Sequence, residues 1–148
     1  MSSKLPPYLP SVGRLLGFAT TAVTRVASRR LKTHGLTMQH WVVLSALWRA
    51  PRMAEADLAE YCHMSLSGMS KLVDRMQSKR LVRRSRDRDD ARRAVVELAS
   101  KGRSKANLVS FYKDLNQDML KGFTAAESKA LFSYLGRIVE NAEASLEG

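Results

Sequence analysis

The side chains able to do chemistry in this sequence are mostly cations, and they crowd into one stretch. Residues 71–105 hold 13 lysines and arginines against 5 carboxylates, residues 1–70 hold 8 against 3, and residues 106–148 hold 4 against 6. A formal net charge of +11 on 148 residues is more than a small domain needs for solubility. Charge serving solubility alone would be spread more evenly. The block at 71–105 therefore has the character of a footprint for a polyanion, with a merely solvated basic face as the plain alternative.

Other chemistry is poorly supplied. The sequence has no Gly-rich phosphate loop, no HExxH, no GxSxG and no carboxylate pair with an acid-base partner, so no enzyme is expected. His34, His40, His63 and Cys62 do not form a metal set: Cys62 and His63 are neighbours, about 100° apart on a helix, and no paired ligands recur elsewhere. No metal and no cofactor are expected. A single cysteine excludes an intramolecular disulfide, leaving stability to packing. The longest apolar stretches, such as Trp41 to Leu44, fall far short of the roughly 20 residues of a bilayer crossing, and Met1 to Pro10 has no apolar signal region. The expected location is the cytoplasm, with no membrane partner.

The elements that must carry the basic block are legible from spacing. Val12, Leu15, Leu16, Ala19, Val23 and Val26 recur at helical intervals and predict a first helix from about Ser11 to Lys32. Gly35 permits a left-handed stop, and Thr37 can cap a second helix through Trp41, Leu44, Leu47 and Trp48 that ends before Pro51. The two tryptophans, seven apart, share a face and are core residues in the simplest reading. Ala54 to Cys62 predicts a short third helix with Leu58 and Tyr61 inward. Ser65 caps a fourth, running to about Arg80, with Met69, Leu72, Val73 and Met76 as its buried stripe. Its other face carries Ser67, Gly68, Ser70, Lys71, Asp74, Arg75 and Ser78. A short helix, a tight turn and a helix with a small, polar, basic outer face fit a helix-turn-helix, whose second helix must enter a major groove.

Leu81 to Arg86 and Ala94 to Leu98 have β character, and the charged run from Asp87 to Arg93 lies between them. A hairpin after a recognition helix is a wing. Asp87 and Asp90 suit its turn because their carboxylates can bond nearby amides, while Arg86, Arg88, Arg92 and Arg93 can extend to phosphates or a minor groove. From Ser100 one long helix is expected to about Lys121. Thr124 with Glu127 forms a capping box for a last helix, whose stripe is Leu131, Leu135, Ile138, Val139 and Ala142. The fold class expected is mainly α with a small β-hairpin wing.

In their order and spacing these residues resemble the multiple-antibiotic-resistance regulator (MarR) family of bacterial winged-helix repressors, over nearly the whole chain. The resemblance rests on Gly35-Leu36-Thr37 with Gln39 and Trp41, on Leu58-Ala59, and on Ser70-Lys71-Leu72-Val73-Asp74-Arg75-Met76. Its most specific part is the wing, where Asp90-Ala91-Arg92 leads through Val95, Val96 and Leu98 to Lys101-Gly102. Two positions depart from the pattern. Arg80 replaces the glycine that commonly ends the recognition helix, which implies a left-handed arginine or a different exit. Ala99 replaces a capping threonine, so that Ser100 would have to cap the next helix.

The resemblance implies one MarR-like domain over residues 1–148, with residues 37–98 as the DNA-binding lobe and residues 1–36 and 99–148 as dimerisation helices. It implies a homodimer on a pseudo-palindromic duplex operator, with half-sites about 10 to 10.5 bp apart. Ser67, Ser70, Lys71 and Arg75 are then the major-groove candidates and Arg86, Arg88, Arg92 and Arg93 the wing contacts. Arg92 has a mixed role because in this family the matching aspartate and arginine interact. It further implies a repressor released by a small aromatic or phenolic acid, with Arg14, Arg25, His40 and Trp41 as pocket candidates. A sequence-indifferent DNA-coating protein, and a redox-sensing regulator acting through Cys62, are the alternatives. The second is weakened because the family's peroxide sensors carry their cysteine near the N-terminus.

Overall fold

The computed structural model describes residues 11–148; the reading of Met1 to Pro10 lies outside the described residues. The described residues divide into two compact units, residues 11–110 and 111–148. In the first, α1 (Val12–Lys32) starts at Ser11, whose hydroxyl accepts the Arg14 N–H, and ends in a turn at Gly35. Then follow α2 (Met38–Arg49), β1 (Arg52–Ala54), α3 (Glu55–Tyr61), α4 (Leu66–Ser78), β2 (Val82–Arg86), β3 (Ala94–Leu98) and the single turn α5 (Ser100–Arg103). The core is built from Leu31, Leu44, Leu47, Leu58, Leu72, Met76 and Val96, all at 1% exposure or less.

Three helices leave through the same device. Gly35, His63 and Arg80 all have positive φ (71°, 50° and 59°), and the next N–H reaches back to the carbonyl five residues earlier: Leu36 to Leu31, Met64 to Ala59 and Leu81 to Met76. This is the Schellman ending, which glycine adopts freely and other L residues adopt at a cost. Arg80 is therefore the left-handed arginine that the missing glycine implied.

The sheet is antiparallel, in the order β1-β3-β2. β2 and β3 form the expected hairpin, with Val82 opposite Leu98 and Arg86 opposite Ala94. β1 has no counterpart among the elements expected from sequence. It has three residues, and only its pairing across β3, with Arg52 opposite Glu97 and Ala54 opposite Val95, makes it a strand. It holds the root of the wing to the start of α3.

Several expectations are corrected. Tyr61 points outward at 52% exposure while Leu58 is fully buried, because α3 ends at Tyr61, where the chain turns away from the core. Ser100 does not cap α5: Ala99 occupies the cap position and offers no side-chain bond. The long helix expected from Ser100 to Lys121 is divided into α5, a 3-10 turn (Ala106–Ser110) and α6 (Phe111–Met119). The tryptophans of α2 anchor the chain on both sides of the break. Trp48 Nε1 donates to the Gly102 carbonyl at 3.0 Å, which also accepts the Lys105 N–H at 3.3 Å, and Trp41 Nε1 donates to the Leu108 carbonyl at 2.7 Å, so both segments beside the break are tied to α2.

The second unit holds α6 and α7 (Ala125–Glu147). Thr124 and Glu127 form the expected capping box, Thr124 Oγ1 accepting the Glu127 N–H at 3.1 Å and a Glu127 carboxylate oxygen accepting the Thr124 N–H at 2.7 Å. No residue of α7 is fully buried, and Phe132, Tyr134, Val139 and Leu146 are exposed.

Candidate nucleic-acid interface

Helix α4 is positioned by its apolar side and presents its polar one. Ser65 accepts the Gly68 N–H at 3.0 Å and starts the helix; Met69, Leu72, Val73 and Met76 sink into the core. Ser67, Lys71, Asp74, Arg75 and Ser78 remain exposed. Lys71 and Arg75, four apart, are one turn from each other on that surface. Among the described residues neither has an ion-pair partner.

Ser70 is placed differently from the other three groove candidates. It is half-buried, and both its carbonyl (2.9 Å) and its hydroxyl (3.3 Å) accept from Arg84 Nη2. Arg84 also binds the Glu55 carboxylate at 2.9 Å and that of Asp74. One guanidinium of β2 thus ties the start of α3 to the middle of α4. Glu55, Ser70, Arg84, Ser85, Arg86 and Ala94 line a cavity of about 390 Å³ between these elements and the wing. Sequence reasoning missed Arg84 and Glu55. The signal was present: Arg84 is two residues from buried Val82, hence on the inward side of β2, where a cation needs an acid.

The wing tip is folded by its aspartates as expected. Asp87 accepts the N–H groups of Asp89 (2.8 Å) and Asp90 (3.4 Å), and Asp90 accepts the Arg92 N–H at 3.0 Å. The Asp89 N–H holds the Asp87 carboxyl below its ordinary range, so the turn is built on a charged aspartate. The Asp90–Arg92 link runs through the backbone, which leaves the Arg92 guanidinium outside it. Arg86, Arg88 and Arg92 are exposed and, among the described residues, free of ion pairs. Arg93 is not: its Nη2 lies 2.7 Å from Asp57 of α3.

The four pocket candidates are scattered. Arg14 and Arg25 are exposed on α1, eleven residues or about 16 Å apart along its axis, too far to hold one small ring. His40 is buried and completes the cap of α2, its Nδ1 accepting the Thr37 N–H at 3.1 Å while Thr37 Oγ1 accepts the His40 N–H. Burial, with Lys79 and Arg75 nearby, pushes the imidazole below its usual pKa and favours the neutral form this bond requires. Trp41 is buried and spans to Leu108. Cys62 is half-buried, and burial raises its thiol, opposite to the activation of a redox cysteine.

A turn-linked helix pair, an exposed basic face on the second helix and a hairpin tipped with arginines define a winged helix-turn-helix. Residues 34–93 match the model of the MarR family, so this lobe is similar to the DNA-binding lobe of that family. Among curated relatives, the uncharacterised HTH-type regulator YdgJ of Bacillus subtilis is 24% identical over 134 residues, covering 90% of this chain and 76% of its own length. The transcriptional activatory protein BadR of Rhodopseudomonas palustris is 28% identical over 126 residues, covering 79% and 70%. Of solved structures, the regulator SlyA matches with a TM-score of 0.84 at 19% identity, over 93% of this chain and 98% of its own. A cysteine-to-serine mutant of Escherichia coli MarR, complexed with operator DNA, matches with 0.79 at 24%, over 86% and 92%. BpsR of Bordetella bronchiseptica, whose DNA binding is regulated by 6-hydroxynicotinic acid, matches with 0.76 at 24%, over 86% and 98%. Among the described residues no helix is long and apolar enough to cross a membrane.

Proposed function

We propose that this chain is a sequence-specific regulator of transcription that binds a pseudo-palindromic duplex as a homodimer. The observation that carries the reading is the set of exposed cations without acidic partners, Lys71 and Arg75 on α4 and Arg86, Arg88 and Arg92 on the wing, on two elements that the Arg84 ties hold together. A helix in the major groove flanked by a cationic wing needs both. Ser67 joins Lys71 and Arg75 in the groove, Ser70 acts through Arg84, and Arg93 contributes less than its wing neighbours because Asp57 neutralises it.

A second copy supplies the other half-site. The exposed apolar residues of α1 (Val12, Leu15, Phe18), and separately those of α7, are surfaces that a twofold partner would cover. The dimerisation segments are thus residues 1–36 and 99–148, flanking a DNA-binding lobe at 37–98.

Repression relieved by a small aromatic or phenolic acid is the proposed mode of control. It is supported by the regulation of BpsR by such an acid. BadR is an activatory protein, so the sign of control can differ between proteins of similar sequence. The test is DNA binding followed by fluorescence anisotropy across a salt series, with and without a panel of aromatic acids. A steep loss of affinity with salt and release by one acid are expected. Release by none removes the effector, and sequence-independent affinity favours a coating protein.

A further inference from the structure

Among the described residues 37–98, the large apolar side chains left exposed are Tyr61 and Leu66, at 52% and 56%. They bracket the turn of the helix-turn-helix, Tyr61 closing α3 and Leu66 opening α4. Elsewhere in this lobe leucine, valine and methionine are buried or half-buried, so Leu66 is set apart by its place at the start of the recognition helix as well as by its exposure.

Leu66 lies in line with the buried stripe of α4, three residues before Met69 and seven before Val73, but one turn beyond the end of the core. It borders Ser70 and precedes exposed Ser67, and the Ser65 cap fixes its backbone in the first helical turn. The N-terminal residues of a recognition helix are those that meet base edges. An aliphatic group there cannot hydrogen-bond a base. The one apolar feature of the major-groove edge is the C5-methyl of thymine, and Lys71 and Arg75 on the same helix supply the charge that draws the surface onto DNA.

We propose that Leu66 is a specificity-determining residue that reads thymine through its C5-methyl group, an inference resting on the DNA-binding reading above.

The test uses the full-length protein and a duplex it has itself selected, with each thymine of the half-site replaced in turn by deoxyuridine, which removes the methyl and keeps every hydrogen-bonding group. At one thymine per half-site, affinity is expected to fall roughly fourfold. The same replacement is expected to leave the affinity of Leu66→Ala unchanged, the signature of a direct pairwise contact. Selective binding with uracil tolerated at every position overturns the methyl contact, as does a Leu66→Ala protein that stays fully sensitive to uracil. Failure to select any sequence overturns the DNA-binding reading beneath it and is seen before uracil is introduced.

Discussion

Nη2 of Arg84 lies 2.9 Å from Oε1 of Glu55, a residue only 6% exposed, and the same guanidinium reaches Asp74 and Ser70. The hairpin and the recognition helix are therefore held by one partly buried polar junction, in which Glu55 is the buried member. Breaking a buried pair from one side costs more than the pair contributes, since the remaining charge stays desolvated. Arg84→Met is expected to lower stability by about 2 kcal/mol, read as a shifted urea midpoint at unchanged slope. It should also lower DNA affinity beyond the loss of one charge, because α4 and the wing no longer hold a fixed spacing. An unchanged midpoint contradicts the junction.

Gly102 has a packing role. A Cβ built there would sit 2.1 Å from the Leu81 carbonyl oxygen, a backbone atom with little freedom to move. Gly102→Ala is expected to destabilise the protein by at least about 2 kcal/mol, measured by thermal or urea unfolding. It also displaces the carbonyl that accepts from Trp48.

Arg80 gives the opposite sign. Its φ of 59° carries the strain of a side chain in the left-handed region. Arg80→Gly relieves it and is expected to stabilise by about 0.5 to 1 kcal/mol, since greater freedom of glycine in the unfolded chain offsets part of the gain. Unfolding at matched pH and salt checks this.

His40 gives stability a pH dependence. Its folded pKa is lowered from 6.5, first by burial and then by Lys79 and Arg75. The unfolded chain therefore takes up the proton at higher pH than the folded one. Stability from this group is present above about pH 6.5 and is lost as pH falls toward and through the folded value. His40→Asn keeps an acceptor for the Thr37 N–H and does not titrate. Between about pH 7.5 and about pH 5.5 the wild type is expected to lose stability that the variant keeps. Carboxylates with lowered pKa, such as Asp87 and Glu97, act only at more acid pH.

The wing arginines separate by their partners. Arg88→Ala is expected to weaken binding to all sequences and to reduce the salt slope by about one counterion. Arg93→Ala should change the slope less, because Asp57 already neutralises the side chain. Equal slope changes contradict the assignment.

The parts of this fold governed by local rules were legible in the sequence. The caps at Thr37, Ser65 and Thr124, the buried stripe of α4 and the aspartate-built wing all follow from spacing and side-chain type. What was hidden depends on distant neighbours. β1 exists only through pairing with residues more than 40 positions later. The segments on either side of the break in the long helix are tied to α2 by its tryptophans, through the Gly102 and Leu108 carbonyls. The role of Ser70 depends on Arg84, and that of Arg93 on Asp57, 36 residues away in sequence. Hydrophobic period and capping chemistry carry no trace of such pairings.

The central claim is sequence-specific recognition by α4 and the wing, and selection of bound sites from a random duplex library at about physiological salt tests it most directly. The account predicts strong enrichment of an inverted repeat with half-sites about 10 bp apart, lost in an Arg75→Ala protein that still folds. A library that emerges unenriched, or enrichment that survives Arg75→Ala unchanged, would contradict it.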